Sequence, residues 1–278
     1  MRVLLLAAVL AGPAAAEPLP GWEQMPPVVL GRLDTSATTI FGDDFGVTEL
    51  AVTTGFLAPV DPRFIVSTGL DVRFLDAPAG VDVPETLYGV TLDLMFRDQW
   101  NDDWSYQLAI TPGIFSDFED VDVDALRVTG RALAIGQVNE WLSLVLGVVY
   151  LDRDDVPVLP AVGLTYTPTP HDVFELVFPR PRYKHRYYCG SGHDVWGYVG
   201  GEFGGGQWQV ERADGSSDEL VLRDFRLLLG LERAAKARGG MSWRVEAGYV
   251  FGRETEFDSE VGEFSSGDAF LLRAGLRR

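Results

Sequence analysis

Long runs of period-two alternation constrain this chain more than any other feature. Over 64–74, Phe64, Val66, Thr68, Leu70, Val72 and Phe74 share one phase, and Ser67, Gly69, Asp71 and Arg73 the other, with Ile65 the exception. Residues 88–97 repeat the pattern, setting Tyr88, Val90, Leu92, Leu94 and Phe96 against Gly89, Thr91, Asp93 and Arg97. The same alternation covers 104–113, 243–251 and 270–277. Successive side chains of a strand point to opposite faces, so this is a strand signal and not a helical one.

The length of these runs selects the architecture. Strands of soluble domains average ~5–6 residues, whereas a strand crossing a bilayer obliquely takes ~9–11, and the runs here match the longer value. One face is apolar with aromatic rings toward its ends, as at two membrane–water interfaces; the other mixes Gly, Ser and Thr with both signs of charge, as in a wet lumen. Backbone groups in hydrocarbon must be paired within the protein, so such strands span only as a closed sheet. The expected fold is all-β: a closed antiparallel transmembrane β-barrel of about 12 strands, with 14 the alternative because such barrels take even numbers. The choice rests on 179–219, where PRPRYKHRYY reads equally as loop or strand, and on 28–41, which can add a strand at the front.

Acidic and Gly/Pro-rich segments at 75–85, 116–124, 152–157, 213–219 and 252–268 are expected as long loops, and 58–62, 98–103, 136–140 and 167–171 as short turns. Their alternation is that of external loops and periplasmic turns. Residues 1–16, MRVLLLAAVLAGPAAA, carry one positive charge, a short apolar stretch and small residues, and are expected to be a cleaved Sec-type signal. Residues 17–27 form a Pro-rich periplasmic connector, and 28–278 the barrel. No cysteine follows Ala16, so lipidation at the cut is not expected. The expected location is the Gram-negative outer membrane, with its lipid, lipopolysaccharide and the barrel-insertion machinery as partners. With 23 Lys+Arg against 41 Asp+Glu the chain lacks a basic footprint for nucleic acid. The single Cys189 can form no internal disulfide.

Charges in the lumen phase are the candidate site residues: Asp71, Arg73, Asp93, Arg97, Arg127, Arg131, Glu202, Arg223, Arg244, Glu246 and Arg273. They either line a selective pore or neutralise one another in a filled interior, and the mixture of signs on neighbouring strands favours the filled interior. His185, Cys189 and His193 are spaced by four, but Gly190 and Gly192 oppose the helix that would gather them around a metal, so no metal or other cofactor is expected. Ser191 and His193 form the one pair that a lipid or lipopolysaccharide hydrolase could use; such pairs arise readily by chance, and no catalytic residue is assigned. His171 follows a TPTP turn and is expected as a polar residue at a strand end. Gly200, Gly201, Gly204, Gly205 and Gly206 are expected to relieve crowding where the sheet curves.

With FELVFPRPR at 174–182 and YVGGEFGGGQW at 198–208, the chain resembles a domain-of-unknown-function family of Gram-negative outer-membrane β-barrels, from about residue 46 to the end. The resemblance implies a leader, one transmembrane barrel and no assigned activity. Where such barrels end on an aromatic, this chain ends LLRAGLRR, with Phe270 its last. The expected function is a non-enzymatic barrel, structural or a narrow channel for small solutes. The alternatives are a hydrolase of membrane lipid and a soluble periplasmic β-sandwich or ligand-binding barrel.

Overall fold

The computed structural model describes residues 29–278 apart from 58–60, 79, 120, 154, 155 and 238. The expected signal and connector lie outside the described residues. One side of the sheet consists of β1 (Val29–Phe41), β2 (Gly46–Leu57), β3 (Phe64–Asp76), β4 (Thr86–Gln99), β5 (Trp104–Ser116), β6 (Leu126–Asn139) and β7 (Leu142–Tyr150). Two short strands, β8 (Val158–Pro160) and β9 (Gly163–Thr169), share the far edge of β7. The circuit continues through β10 (Asp172–Val177), β11 (Arg182–Cys189), β12 (His193–Glu211), β13 (Ser217–Ala235) and β14 (Ser242–Phe257). The short β15 (Phe264–Ser266) lies along β14, and β16 (Ala269–Arg277) pairs with both β14 and β1. That double pairing closes the sheet into an antiparallel barrel.

Setting aside the short β8 and β15, fourteen of the sixteen strands form the wall, the alternative number and not about 12. Two segments make the difference: 182–189 is a strand of its own, and 29–41 is a full strand at the front. The turn before β11 is only four residues, 178–181, although it lies at the long-loop end, and this breaks the loop alternation there. All five segments expected as long loops fall at that end. The expected turns at 98–103, 136–140 and 167–171 fall at the other, while 58–62 is only partly described.

The register explains why alternation was so regular. On β4, Leu92 and Leu94 point outward, 39% and 41% exposed, while Thr91 and Asp93 point inward. Apolar outward residues cover the wall from Phe64 to Phe74 on β3 and from Leu108 to Ile114 on β5. Rings gather at both ends: Phe64, Phe96, Tyr106, Trp141 and Trp243 near the short turns, and Phe41, Phe74, Tyr150, Phe225 and Phe270 near the long loops. Among the described residues no helix is long and apolar enough to cross a membrane. The larger of two buried apolar clusters lies at the long-loop end, where β12 and β13 outrun the wall, and a smaller one of Ile40, Leu228, Val250, Ala269 and Leu271 lies on the inward faces of β1, β13, β14 and β16.

Candidate functional site: the closed mouth and the lumen

β12 and β13 are 19 residues each, against 9 to 14 for β1–β7. They pass the ring of Phe203, Phe225 and Phe251, whose centroids lie 5.5 and 5.8 Å apart, and then fold over the mouth. The bend falls at Gly204–Gly206. Gly205 has φ +100°, and a Cβ there would collide with the Leu222 carbonyl, so only glycine fits without strain. The β13–β14 register slips between Arg223 and Phe225 at the same height.

Beyond the bend the ribbon has two packed faces. Trp208, Val210, Leu220 and Leu222 are buried against Phe257 of the adjoining β14 and against Phe45, Leu75 and Leu87 from across the mouth. Polar groups fix the far side: Gln209 forms a parallel bridge with Ser116, the Glu211 amide donates to Asp117 Oδ2 at 2.9 Å, and the Asp122 amide donates to Gln209 Oε1 at 3.2 Å. Arg212 pairs with Asp82 at 3.1 Å and Arg127 with Glu219 at 2.8 Å. At the tip, the Ser216 hydroxyl and amide donate to Asp214 and hold its carboxyl below the usual range. The ribbon is thus sealed to three different loops by burial and by hydrogen bonds.

Below it, the inward charges form a paired belt. Arg273 meets Glu202 at 2.6 Å and Glu246 at 3.0 Å, Arg226 meets Glu202 at 3.2 Å and Asp224 at 2.5 Å, and the Tyr198 hydroxyl donates to Glu246 at 2.6 Å. On the opposite wall Arg131 pairs with Asp93 at 3.2 Å, and Arg73 lies 3.3 Å from Glu49 and 3.6 Å from Asp71. Arg244 approaches Asp34 at 3.9 Å, and Arg97 is exposed near the short-turn end. The expected lumen charges Asp71, Arg73, Asp93, Arg97, Arg127, Arg131, Glu202, Arg244, Glu246 and Arg273 all lie on the inward phase.

Arg223, expected among the lumen charges, is the exception and does not share their inward phase. It lies on the opposite face of β13 from Asp224 and Arg226 and bonds to Glu254 and Glu256, because Phe225, Leu227 and Leu229 take the outward phase. Counting back from those three apolar residues finds Asp224 and Arg226, which the sequence reading passed over.

Between ribbon and belt is a cavity of about 430 Å³. Arg73, Arg127, Arg153 and Arg180 line it, and no carboxylate does. Arg73 lies 4.4 Å from the Trp208 ring centroid. Trp208 Nε1 and Arg127 Nε are buried N–H donors with no hydrogen-bond partner among the described residues. Arg153 and Arg180 come from loops, where no periodicity marks direction, and Trp208 reads as an ordinary strand aromatic.

The remaining candidates lie elsewhere. Ser191 is exposed in the turn between β11 and β12, and the His193 ring packs on Tyr188 at 5.3 Å. His185 bonds to Asp172 at 2.8 Å, Cys189 is exposed, and His171 Nδ1 lies 3.2 Å from the Arg186 carbonyl oxygen. The described residues contain no group of three or more His, Cys, Asp or Glu placed to hold a metal.

Residues 79–264 match the model of the family described as Domain of unknown function (DUF6268). The chain belongs to that family. No curated protein matches it. The KdgM porin is similar in structure at 11% identity and a TM-score of 0.40, over 88% of this chain and 97% of that one. The COG4313 outer membrane channel from Pseudomonas putida F1 gives 14% and 0.42, over 94% and 99%. The deltaS2 mutant of the TodX monoaromatic hydrocarbon channel gives 10% and 0.40, over 88% of each. For this DUF6268 chain, closure at fourteen staves rests on its own strand pairing.

Proposed function

We propose that the protein is a barrel of the Gram-negative outer membrane, exported with a cleaved Sec-type leader, and that it serves as a narrow conduit for small solutes, closed at its long-loop mouth by the β12–β13 ribbon. The single observation that carries this reading is a wall element nearly twice the length of some neighbours, bent at Gly205 and packed across the mouth above lumenal cavities. The outward apolar band with a ring of aromatics at each end supports a place in lipid, with lipopolysaccharide beside the outer half and the insertion machinery as the route of assembly. Cavities of about 370 and 670 Å³ below the mouth support a lumen wide enough for small solutes, and the charge pairs that border them support its narrowness.

The test is conductance in planar bilayers. The full barrel should pass little current, and a variant with 207–221 replaced by a two-residue turn should open steps several-fold larger. Silence from both proteins, each shown to be inserted by protease protection, would leave a structural barrel in its place.

A further inference from the structure

The bend that carries the ribbon over the mouth also strips β12 of a neighbour. β11 pairs with β12 only from Asp194 to Gly200, and the Gly201 amide donates to the Pro181 carbonyl. Above that point the edge of β12 has no ladder with a described residue until Gln209 meets Ser116. Facing it, β8 pairs with β7 alone. The wall therefore has a gap, floored by the turn 178–181 and flanked by 158–160 and 202–208. Arg153 closes its top, donating to the Leu222 carbonyl at 3.3 Å and lying 5.3 Å from the Phe203 ring. Val158, Val162 and Phe178 stand outside, each about half exposed, so the gap opens within or at the edge of the apolar band.

Behind it lies the arginine-lined cavity, which reaches Leu159, Pro179 and Arg180 on one flank and Phe203 and Gly204 on the other. Its interior offers apolar surface from Phe115, Val149 and Leu151. Arg127 is paired with Glu219 and Arg73 lies near Glu49 and Asp71, but no carboxylate lines the cavity itself, and in a chain with a net charge of -18 four guanidinium groups around one chamber suit an anion. Arg180 is exposed, and its guanidinium makes no hydrogen bond or ion pair with a described residue, its amide alone donating to the Val177 carbonyl; two buried N–H donors are without partners among the described residues. An opening bordered by the exposed Val158, Val162 and Phe178 favours a molecule with an apolar tail.

We propose that this gap is a lateral port for an amphipathic carboxylate, a monoanion with one alkyl or aryl tail, which seats its head on Arg127, Arg180 and the Trp208 N–H and lays its tail along Leu159 and Phe203. The proposal rests on the conduit reading and names its solute class. The cavity lies in the range of about 300–1,000 Å³ that single small ligands occupy, which suits one tail and not a multi-chain lipid.

Titration calorimetry on the full chain in nanodiscs tests it, with sodium decanoate, decanol and sodium acetate as probes. Decanoate should bind, and the other two should bind at least tenfold more weakly. Arg180→Gln should weaken decanoate about tenfold, as expected for one lost charge-assisted hydrogen bond, and leave decanol unmoved. Trp208→Phe keeps an aromatic side chain but removes both the N–H and the indole fluorophore, so decanoate should bind the variant more weakly, and 10-bromodecanoate should quench the parent's fluorescence more than the variant's. Equal binding of decanoate and decanol, or decanoate binding indifferent to Arg180→Gln, overturns the port. Conduction by the ribbon-shortened barrel, with no decanoate binding by the full chain, would sink the port and leave the conduit. Decanoate binding in a barrel that never conducts would do the reverse.

Discussion

The belt and the chamber above it share one lumen and opposite electrostatics. In the belt Arg131, Arg226 and Arg273 each have a carboxylate within 2.5–3.2 Å, and each carboxylate of the Glu202–Arg273–Glu246 group is held twice over. In the chamber four arginines line the cavity and no carboxylate does, and the Trp208 Nε1 and Arg127 Nε donors have no hydrogen-bond partner among the described residues. In a narrow barrel whose wall turns most of its apolar side outward, such pairing adds to the small inward cluster of Ile40, Leu228, Val250, Ala269 and Leu271 in filling the interior. Incomplete pairing costs stability without structural return, which is why the chamber and not the belt reads as the working part.

The comparison breaks most readily at the belt. Arg273→Met removes the cation between Glu202 and Glu246 and should cost about 3–5 kcal/mol, the expected penalty for stranding buried charge; urea unfolding in lipid measures it. A loss under about 1 kcal/mol would show the belt to be solvated like a surface. The wall comes next. Leu92→Arg should cost ~2–4 kcal/mol if Leu92 meets hydrocarbon near midplane, and Thr91→Arg beside it much less. Equal tolerance in the same assay would reverse the assignment of faces.

Smaller effects sharpen the account of the ribbon. Gly205→Ala forces a Cβ against the Leu222 carbonyl at a left-handed position and should cost roughly 1–3 kcal/mol, read as faster proteolysis between β12 and β13. Asp82→Asn breaks the partly exposed bridge to Arg212, is worth at most about 1 kcal/mol, and should lose its effect at high salt. Asp214→Asn is the mildest. Folding lowers the pKa of Asp214, so its contribution is present above the unfolded value and vanishes as pH falls through the folded one; the variant and parent should converge in acid.

Most of the wall was legible because a barrel strand meets two uniform media, and period two records them directly. Leu92 and Thr91 could be assigned without a structure. Legibility failed where a backbone irregularity intervened. At Arg223 the register slip and the end of the apolar band arrive together, and the phase seemed to continue through a charge that faces the other way. It failed also for Arg153 and Arg180, which sit in loops and converge only through folding. The glycines of 204–206 were read correctly as a place where the sheet bends, but the bend's direction depends on Phe45, Leu75 and Leu87, residues far away in the chain.

The ribbon is cut from the wall and not hung from a loop. One strip of fixed length leans over the top and, in doing so, leaves the flank beside Val158–Pro160 bare. Were it to stand upright, its free edge would return toward that flank and uncover the top. Top and flank are therefore two vacancies with a single shutter between them.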